Sequence, residues 1–568
     1  MQIKWKGKGY WIQVSTVNDM NSRKKLMMFL SILVTVAMML PMIVFAKGEG
    51  ETITIKPPDT GSWVLNASDF SAIKLFDVSV LFVEGSPNFV YTPVEGLEDF
   101  AANFKVEFGF GDGTANGLRI WLSESPSAAD LKNFTKAVMD FSFTSSGTVS
   151  GGGPAGNVVI SGLDFGYYLV IGGGHVDGGK VVAHSALVTV PEFAGDVQKD
   201  TVMLTLKADA PTIVKSVSNE NTSDPDDFVK WTDVSIGDIV TFKIESIVPN
   251  MFGYDSYTFI VHDTMDAGLS FVGTAKADFT VTIGGKSFEQ FEVVITGQTM
   301  TLTMQGSIDD KITGDFREQN AGDAMVITYK ARINENATID TIPNVNTAQI
   351  EYSNNPYWDG KGKEPTGTTP KDRAKVFVFD FDILKYTGSI DAPIPLAGAE
   401  IELRTDKDDA GSAIKFVKLT SENVDGEMMD VYRVATPKEI AIDKPTTTIV
   451  TGDLGRVLIR GLDAGDYFLQ ETIAPNGFNL REAAVKVSIV RIDDSGKEVV
   501  YDEAFTGLTK VLADGIEIQH TINVENNAGP ELPGTGGTGR TIIYACGGAL
   551  TVGIIIAYVI SKQRKEED

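Results

Sequence analysis

Cysteine and histidine are scarce in this chain. Among 568 residues there is one cysteine, Cys546, and it lies in an apolar stretch near the C-terminus, so an intramolecular disulfide is excluded. The four histidines show no metal-ligand spacing, and no serine or cysteine nucleophile motif occurs outside that stretch. The sequence therefore disfavours a secreted enzyme, and we expect neither a cofactor nor a bound metal ion.

Positive charge is also in short supply. The chain has 49 Lys and Arg against 76 Asp and Glu, a formal net charge of -27, and the acidic residues are spread along its length. This balance argues against nucleic-acid or anionic-membrane binding. The length is too great for one core and indicates three or four domains. Abundant glycine, Val, Thr and Ile with few long amphipathic helical patterns predict an all-β fold of antiparallel sandwiches.

The N-terminal region has the pattern of a secretory signal. Basic residues 23–25 precede an apolar stretch that ends at Ala46 with small residues. We predict cleavage after Ala46, so that the mature protein begins at Lys47. Met1 and Met20 are both acceptable start codons, and the sequence leaves this choice open.

The C-terminal region combines three features in a fixed order. An apolar run of 20 residues, 541–560, is long enough to cross roughly 30 Å of hydrocarbon, and basic residues follow it at 562–565. A pentapeptide precedes the run: Leu532, Pro533, Gly534, Thr535 and Gly536. A simple single-span anchor is the plainer interpretation. The ordered trio, however, resembles the LPxTG sorting signal of sortase substrates.

That resemblance implies a mechanism in which this chain is the substrate. A membrane sortase cysteine would attack the carbonyl of Thr535, expel Gly536 and all that follows, and form a thioacyl-enzyme that an amine then resolves. The chain is thus an acyl donor and not the catalyst.

An internal repeat suggests the domain layout. Segments 162–169 and 461–468 both read as a turn followed by an alternating strand, so we expect the first and last domains to share a fold. Boundaries are expected near Lys207 and near Thr369, the second inside the Gly-, Pro- and Lys-rich stretch 358–373, which we interpret as a linker. The expected layout is a signal peptide with basic leader at 1–46, a head domain at 47–207, a middle domain at 208–368, a third domain at 369–529, and the sorting signal, transmembrane helix and basic tail at 530–568.

Strand parity places polar residues on faces that should be apolar. Alternate residues of a strand share a face. In the third domain this rule puts Lys385, Glu471 and Asn526 on inward faces, each within or at the end of an alternating apolar series. In the middle domain it does the same for Lys215, Asp263 and Asn346.

These inward residues allow two interpretations. One is a buried ion pair beside a hydrogen-bonded amide. The other is covalent: desolvation lowers the lysine pKa and raises that of the acid, so a neutral amine can attack the asparagine amide with acid assistance, releasing ammonia. We predict two isopeptide links of this kind. They join Lys215 to Asn346, assisted by Asp263, and Lys385 to Asn526, assisted by Glu471.

The same segments carry a family resemblance. Segments 383–385, 395–400 and 471–475 resemble the B-type repeats of collagen adhesins and backbone pilins, and segments 211–215 and 346–348 resemble the A-type pilin domain. The resemblance implies tandem immunoglobulin-like β-sandwiches, a link between first and last strands, and a catalytic role for the two carboxyl groups. The head domain should lack the link, because Gly172 stands at the repeat position of Glu471.

One further lysine is expected to join subunits. Lys207 lies opposite an apolar stripe at the end of the head domain, which predicts exposure, and it has the position of the pilin-motif lysine, although Leu206 precedes it where the family usually has proline. Lys199 is the alternative, and an ordinary solvated lysine is the plainest interpretation. The resemblance implies a secreted, wall-anchored pilus shaft subunit whose partners are a sortase, identical subunits, minor pilins and peptidoglycan. A monomeric wall-anchored adhesin is the alternative function.

Overall fold

The structure is a computed structural model that describes most of the folded chain. It covers 45–46, 50–528 and 550–558, apart from gaps at 60–61, 84–85, 110, 125, 177–178, 200, 221–226, 252–253, 306–315, 340–341, 359–360, 362, 425, 443–444, 492–508, 514–515 and 519–520. The predicted sorting pentapeptide lies outside the described residues. Within them, no helix has both the length and the apolar character needed to cross a bilayer. Of the predicted span, the described residues are 550–558, and they are helical.

The first unit is built from two large sheets and one small one. Its strands are β1 (Phe45–Ala46), β2 (Glu51–Lys56), β3 (Trp63–Asn66), β4 (Ser71–Val83), β5 (Ser86–Pro93), β6 (Ser145–Ser146), β7 (Thr148–Pro154), β8 (Val158–Leu163), β9 (Gly166–Ile171), β10 (Gly173–Val176), β11 (Gly179–Val182), β12 (Ala186–Val190), β13 (Phe193–Ala194), β14 (Val197–Gln198) and β15 (Val202–Thr205). One sheet has the order β1-β4-β9-β12 with β5 and β6 on β4; the other has the order β11-β10-β3-β7-β8-β2-β15. The expected cleavage point at Ala46 lies in β1, whose backbone pairs with β4.

Helices in the first unit correct the all-β expectation. Its described residues include α1 (Leu97–Phe108), α2 (Ala115–Ser123) and α3 (Ala128–Asp140). The side chains of Leu97, Phe100, Ala101 and Phe104 are buried, the i, i+3, i+4, i+7 spacing of one helix face. The Thr114 side chain caps α2. The helices and β4 share an apolar cluster, so they form an integral layer of this unit.

The middle unit is a sandwich of two sheets. Its strands are β16 (Val214–Asn219), β17 (Trp231–Asp233), β18 (Ile239–Ile247), β19 (Phe259–Met265), β20 (Leu269–Phe271), β21 (Phe279–Ile283), β22 (Lys286–Ser287), β23 (Phe291–Thr296), β24 (Thr299–Met304), β25 (Ala324–Ile333), β26 (Asn344–Ser353), β27 (Thr366–Thr368) and β28 (Asp372–Phe377). One sheet has the order β16-β18-β25-β21-β22 with β20 on β25; the other has the order β17-β28-β26-β19-β24-β23 with β27 on β26. Alternating burial along β18, β25 and β26 places one face of each strand in the core.

The third unit is a second sandwich. Its elements are β29 (Phe379–Thr387), β30 (Ile394–Pro395), β31 (Glu400–Arg404), β32 (Phe416–Lys418), β33 (Glu422–Val424), β34 (Glu427–Val434), α4 (Pro437–Ala441), β35 (Ile449–Val450), β36 (Arg456–Leu462), β37 (Gly465–Ile473), β38 (Val485–Arg491), β39 (Thr509–Ala513), β40 (Ile516–Ile518) and β41 (Thr521–Glu525). One sheet has the order β30-β29-β36-β34-β32 with β41 on β29, and the other has the order β35-β31-β37-β38-β39-β40. The first and last strands, β29 and β41, are parallel neighbours.

The middle unit extends beyond its expected end. We expected a linker over 358–373 and a boundary at 369, but β27 and β28 lie in that region and pair with β26. Strand β28 also pairs in parallel with β17. Because β28 completes the middle sheet, the change of unit falls at Val378, between β28 and β29. Composition gave a false linker signal here, since the stretch contains β27 and the start of β28, which are paired strands.

The two repeat segments have the same local structure. Gly162 and Gly461 both have positive φ, 72° and 97°. Six residues later in each segment a tyrosine hydroxyl donates to the backbone carbonyl four residues before it: Tyr168 at 2.8 Å and Tyr467 at 3.0 Å. The turn and the strand that follows are thus held by one repeated contact.

Buried polar contacts join the middle and third units. Asp233 pairs with Arg491 at 2.5 Å and accepts from the backbone N–H of Ala464 at 2.8 Å. The backbone N–H of Ile236 donates to the carbonyl of Gly461 at 2.9 Å, where a Cβ would lie 2.9 Å from the Ile236 side chain. These contacts connect the start of the middle sandwich to the repeat turn of the third unit.

Candidate functional sites

Lys385 is completely buried in the third unit. It lies on β29, where a run of large apolar side chains covers both faces of the strand. The Nζ atom contacts the Oδ1 atom of Asn526, the residue that directly follows β41. The backbone N–H of Asn526 donates to the carbonyl of Tyr386 at 2.9 Å, which continues the β29–β41 pairing. The parallel pairing of these strands therefore brings the two side chains together.

Glu471 reaches the same place from the opposite sheet. It lies on β37, where Tyr467 and Leu469 share its inward face. Its Oε1 atom is 2.8 Å from Lys385 Nζ, and its Oε2 atom accepts from Asn526 Nδ2 at 3.1 Å. The backbone N–H of Arg481 donates to Oε2 at 2.7 Å and fixes the carboxyl group. One carboxyl group thus touches both the amine and the amide.

The electrostatics of this site favour a reactive amine. Burial lowers the pKa of Lys385, against the opposing effect of Glu471. A lysine with a lowered pKa is neutral for more of the time, and a neutral amine is a nucleophile. Asn526 Nδ2 also donates to the carbonyl of Asn479 at 2.8 Å, so the amide is held in one orientation. The arrangement has the parts that amide exchange requires.

Lys215 is completely buried in the middle unit, and its surroundings come from both sheets. It lies on β16, and Asp263 and Asn346 lie on β19 and β26 of the other sheet. Lys215 Nζ contacts Asp263 Oδ2. Asn346 pairs in register with Met265, two residues along β19 from Asp263, so both side chains point the same way. The three predicted residues therefore face the same buried space between the sheets.

Two strands follow Asn346 in the middle unit, which corrects one implication of the family resemblance. A link from Lys215 to Asn346 would start from the first strand, β16, but would end on β26. Strands β27 and β28 come later in the chain and pair with β26. The last strand of this sandwich is thus not the one that carries the asparagine.

Tyr329 is a member of the middle site that sequence reasoning missed. Its hydroxyl accepts from Lys215 Nζ at 2.6 Å, donates to Asp263 Oδ2 at 2.7 Å, and accepts from Asn346 Nδ2 at 3.0 Å. The signal was present in β25, where Tyr329 is one of the alternating residues of the buried face. A tyrosine there reads as ordinary core, since only its hydroxyl distinguishes it from phenylalanine.

Aromatic rings surround the Lys215 amine and keep it dry. Nζ lies 5.0 Å from the ring centre of Phe242 and 5.2 Å from that of Tyr329. Burial lowers the pKa of Lys215, against the opposing effect of Asp263. Burial also raises the pKa of Tyr329 well above its ordinary value, so the phenol keeps its proton. The middle site therefore resembles the third-unit site in its effect on the lysine.

In the first unit, Gly172 stands at the repeat position of Glu471, and an aromatic ring occupies the space beside it. A Cβ added at Gly172 would lie 2.2 Å from the Phe70 ring, so the ring occupies the space that a side chain at this position would need. Lys74 is a partly buried lysine of this unit, and it pairs with the more exposed carboxylates of Asp77 at 3.1 Å and Asp164 at 3.4 Å. The described contacts of Lys74 thus include two acids and no asparagine.

The two candidate linking lysines differ in their contacts. Lys207 is exposed just after β15, where Val202 and Leu206 are buried, as strand parity predicts. Its backbone carbonyl accepts from the N–H of His184 at 2.9 Å, which anchors the segment. Lys199 is also exposed, but its amine pairs with Glu192. Lys207 is the less engaged amine of the two.

Sequence comparison finds relatives among bacterial surface proteins. A family model described as the SpaA prealbumin-like fold domain matches residues 390–503. The trypsin-resistant surface T6 protein of Streptococcus pyogenes serotype M6 is 22% identical over 430 residues, 63% of this chain and 70% of that protein. Platelet adherence protein A of Streptococcus gordonii is 23% identical over 298 residues, 49% of this chain but 7% of that protein.

Solved structures of pilus subunits align with much of the chain at low similarity. The T6 backbone pilin of Streptococcus pyogenes gives a TM-score of 0.47 at 16% identity, covering 86% of this chain and 100% of that chain. The major pilin SpaA of Corynebacterium diphtheriae gives 0.43 at 16% identity, covering 84% and 99%. The sequence similarity to the T6 surface protein agrees with the resemblance to Gram-positive surface pilus proteins predicted from the sequence, and the match to the SpaA prealbumin-like model falls within the third unit.

Proposed function

We propose that this chain is the shaft subunit of a Gram-positive pilus and that two internal Lys–Asn amide bonds hold each subunit together. The observation that carries the proposal is the third-unit site, where a buried amine, a carboxyl group and a side-chain amide touch one another. The similarity to the T6 surface protein supports a place on the cell surface.

The third-unit reaction follows from the contacts. The neutral Lys385 amine attacks the side-chain carbonyl carbon of Asn526, and Glu471 accepts a proton from the attacking nitrogen through Oε1. The carboxyl group delivers a proton through Oε2 to the amide nitrogen, which leaves as ammonia. The distances of 2.8 Å and 3.1 Å from the two carboxyl oxygens to the two nitrogens suit both transfers. Each chain performs the reaction once in the middle unit and once in the third unit, and is not an enzyme.

Intact-mass spectrometry of the chain tests the internal bonds. Two amide bonds remove two ammonia molecules, so the mass should be roughly 34 Da below that of the sequence. The double variant Lys215→Ala, Lys385→Ala should show the mass of its own sequence with no deficit. A wild-type mass equal to that of the sequence would disprove both bonds.

Polymerisation requires an amine on the next subunit. In the proposed assembly a sortase cleaves after Thr535 and the exposed amine of Lys207 resolves the thioacyl-enzyme, which joins subunits head to tail. The last subunit is transferred to peptidoglycan, and minor pilins join through the same chemistry. The exposure of Lys207 and its freedom from an ion pair among the described residues favour it over Lys199.

Immunoblots of wall extracts distinguish the possible acceptors. The wild type should give a ladder that resists SDS, and Lys207→Ala should collapse it to one band while Lys199→Ala leaves it intact. Loss of the ladder in Lys199→Ala alone would move the acceptor role to that residue. A single band in the wild type would favour a monomeric adhesin instead.

A further inference from the structure

The middle site differs from the third-unit site in what touches the amide nitrogen. In the third unit, Glu471 contacts Asn526 Nδ2 directly. In the middle unit, the hydrogen-bond partner of Asn346 Nδ2 among the described residues is the Tyr329 hydroxyl, at 3.0 Å. The buried atoms Asp263 Oδ1 and Asn346 Oδ1 have no hydrogen-bond partner there. The carboxyl group of the middle unit therefore does not reach the departing nitrogen as Glu471 does.

A departing amide nitrogen needs a proton, because an amide anion is a very poor leaving group. The Tyr329 hydroxyl is the described group that contacts all three participants: the attacking amine, the carboxyl group and the amide nitrogen. We propose that Tyr329 is a catalytic residue of the middle unit and carries a proton from Asp263 to the departing nitrogen of Asn346. This inference rests on the amide bond proposed above.

The proton transfers balance without any external reactant. Starting from a neutral amine, Lys215 Nζ forms a bond to Asn346 Cγ and gives one of its protons to Asp263 Oδ2. That proton passes to the Tyr329 oxygen while the phenol proton moves to Asn346 Nδ2. The Cγ–Nδ2 bond then breaks and ammonia leaves. Asp263 and Tyr329 finish in the protonation states in which they began.

Placement on β25 suits Tyr329 for this role. The residue pairs in register with Phe242 on β18 and with Phe279 on β21, so its strand is held on both sides. Its ring packs against those of Phe242 and Phe279, with centroids 5.9 Å and 5.7 Å away. The hydroxyl is thus held at a fixed point between the sheets, which a transfer over three short hydrogen bonds requires.

The variant Tyr329→Phe removes the hydroxyl and keeps the ring. The full-length chain is made by cell-free translation, samples are quenched with acid at intervals, and the linked peptide of each unit is measured by mass spectrometry after digestion. We expect the Lys215–Asn346 link to form about 100-fold more slowly or not at all, as general acid–base contributions of this kind predict. The Lys385–Asn526 link in the same molecules should form at the wild-type rate.

The matched control is Tyr257→Phe, which changes another buried tyrosine of the same unit and should leave both rates unchanged. A wild-type rate for the middle link in Tyr329→Phe would overturn the catalytic role while leaving the amide bonds standing. Absence of both links from the wild-type chain would instead disprove the proposed function itself.

A second variant covers the case in which Tyr329→Phe fails to fold, which hydrogen exchange in β16 and β18 would reveal. Site-specific 3-fluorotyrosine at position 329 keeps the shape of the ring and makes the phenol more acidic. If the hydroxyl transfers a proton, the rate of the middle link and its pH profile both change while the third-unit rate does not. An unchanged rate and profile would show that the hydroxyl only fills space.

Discussion

The lysines of the middle and third units are both fully buried, yet different strands and sheets bring each one towards its asparagine. Lys385 and Asn526 lie on neighbouring strands of one sheet, and the acid comes from the other sheet. Lys215 lies in one sheet, whereas Asp263 and Asn346 both lie in the other. An amide in the third unit would therefore tie two strands edge to edge, and an amide in the middle unit would tie the two sheets face to face.

A lysine, an acid and an asparagine can therefore be brought together by different arrangements of strands and sheets. In the third unit the carboxyl group of Glu471 contacts both the Lys385 amine and the Asn526 amide nitrogen. The lysine, the asparagine and this one acid are therefore enough for the proposed proton transfers. In the middle unit the amide nitrogen of Asn346 donates instead to the hydroxyl of Tyr329. Desolvation of the lysine is common to both sites, since burial lowers both lysine pKa values. The group that contacts the amide nitrogen is what differs, and with it the proposed route of the proton.

The largest expected effect separates linked from unlinked chains. Asn526→Ala and Asn346→Ala each remove one link, and each link would close a chain segment of similar length, 526 - 385 = 141 and 346 - 215 = 131 residues. By analogy with a disulfide, each loss should lower the free energy of unfolding by about 5 kcal/mol, or the melting temperature by about 10 to 20 °C. Differential scanning calorimetry measures both.

The control for these variants is Asn423→Ala, an exposed asparagine of the third unit, which should change the unfolding free energy by less than about 0.5 kcal/mol. If Asn526→Ala and Asn346→Ala were as mild as this control, neither residue would take part in a covalent link.

The acids should act on separate links. Glu471→Gln should slow the Lys385–Asn526 link by about 100-fold or more and leave the middle link unchanged, and Asp263→Asn should do the reverse. The exposed Glu482→Gln serves as the control. Linked-peptide mass spectrometry reads both bonds in one sample. A link that formed normally without its own acid would show that the lysine and asparagine react unaided.

An unlinked lysine should make stability depend on pH. In Asn526→Ala the Lys385 amine can titrate, and burial lowers its folded pKa below the ordinary value of 10.5. The unfolded chain then binds the proton more readily, so stability should rise with pH between the lowered pKa and 10.5, by up to about 1.4 kcal/mol per pH unit. Chemical denaturation at a series of pH values measures this slope. The wild type, in which the proposed amide would leave no amine to titrate, should lack this slope, and equal slopes would argue against the link.

The smallest effect is expected in the first unit. Lys74 pairs with carboxylates that are about half exposed, so Lys74→Ala should cost no more than about 1 kcal/mol and leave the roughly 34 Da deficit intact. A deficit that shrank by one ammonia in Lys74→Ala would reveal a third link and contradict the distinction drawn between this unit and the other two.

Strand parity predicted the polar core because alternation in a strand is a local property. Lys215, Lys385, Glu471 and Asn526 are all buried where the pattern placed them. Pattern alone could not say which sheet each strand joins, since pairing depends on contacts far apart in sequence. For that reason the family-based expectation of a first-to-last-strand link failed in the middle unit, where β27 and β28 follow Asn346.

Other misses have equally physical causes. The helices of the first unit are short and carry their apolar spacing within a β-rich context, so overall composition outweighed the local signal at Leu97, Phe100 and Phe104. The boundary at Val378 was hidden because Gly- and Pro-rich residues mark turns inside a sheet as readily as linkers between domains. Tyr329 was missed because an aromatic residue on a buried face needs no special explanation.

The parallel pairing of β29 with β41 has a consequence for chain length under tension. With the proposed amide joining Lys385 to Asn526, a pull on the two ends of the third unit would pass from the first strand to the last through one side-chain amide. The chain between these positions, a sequence separation of 141 residues and about 480 Å when fully extended, would then add nothing to the length of the fibre. Loops in this segment are consequently free to lengthen or change sequence without altering how far the shaft stretches.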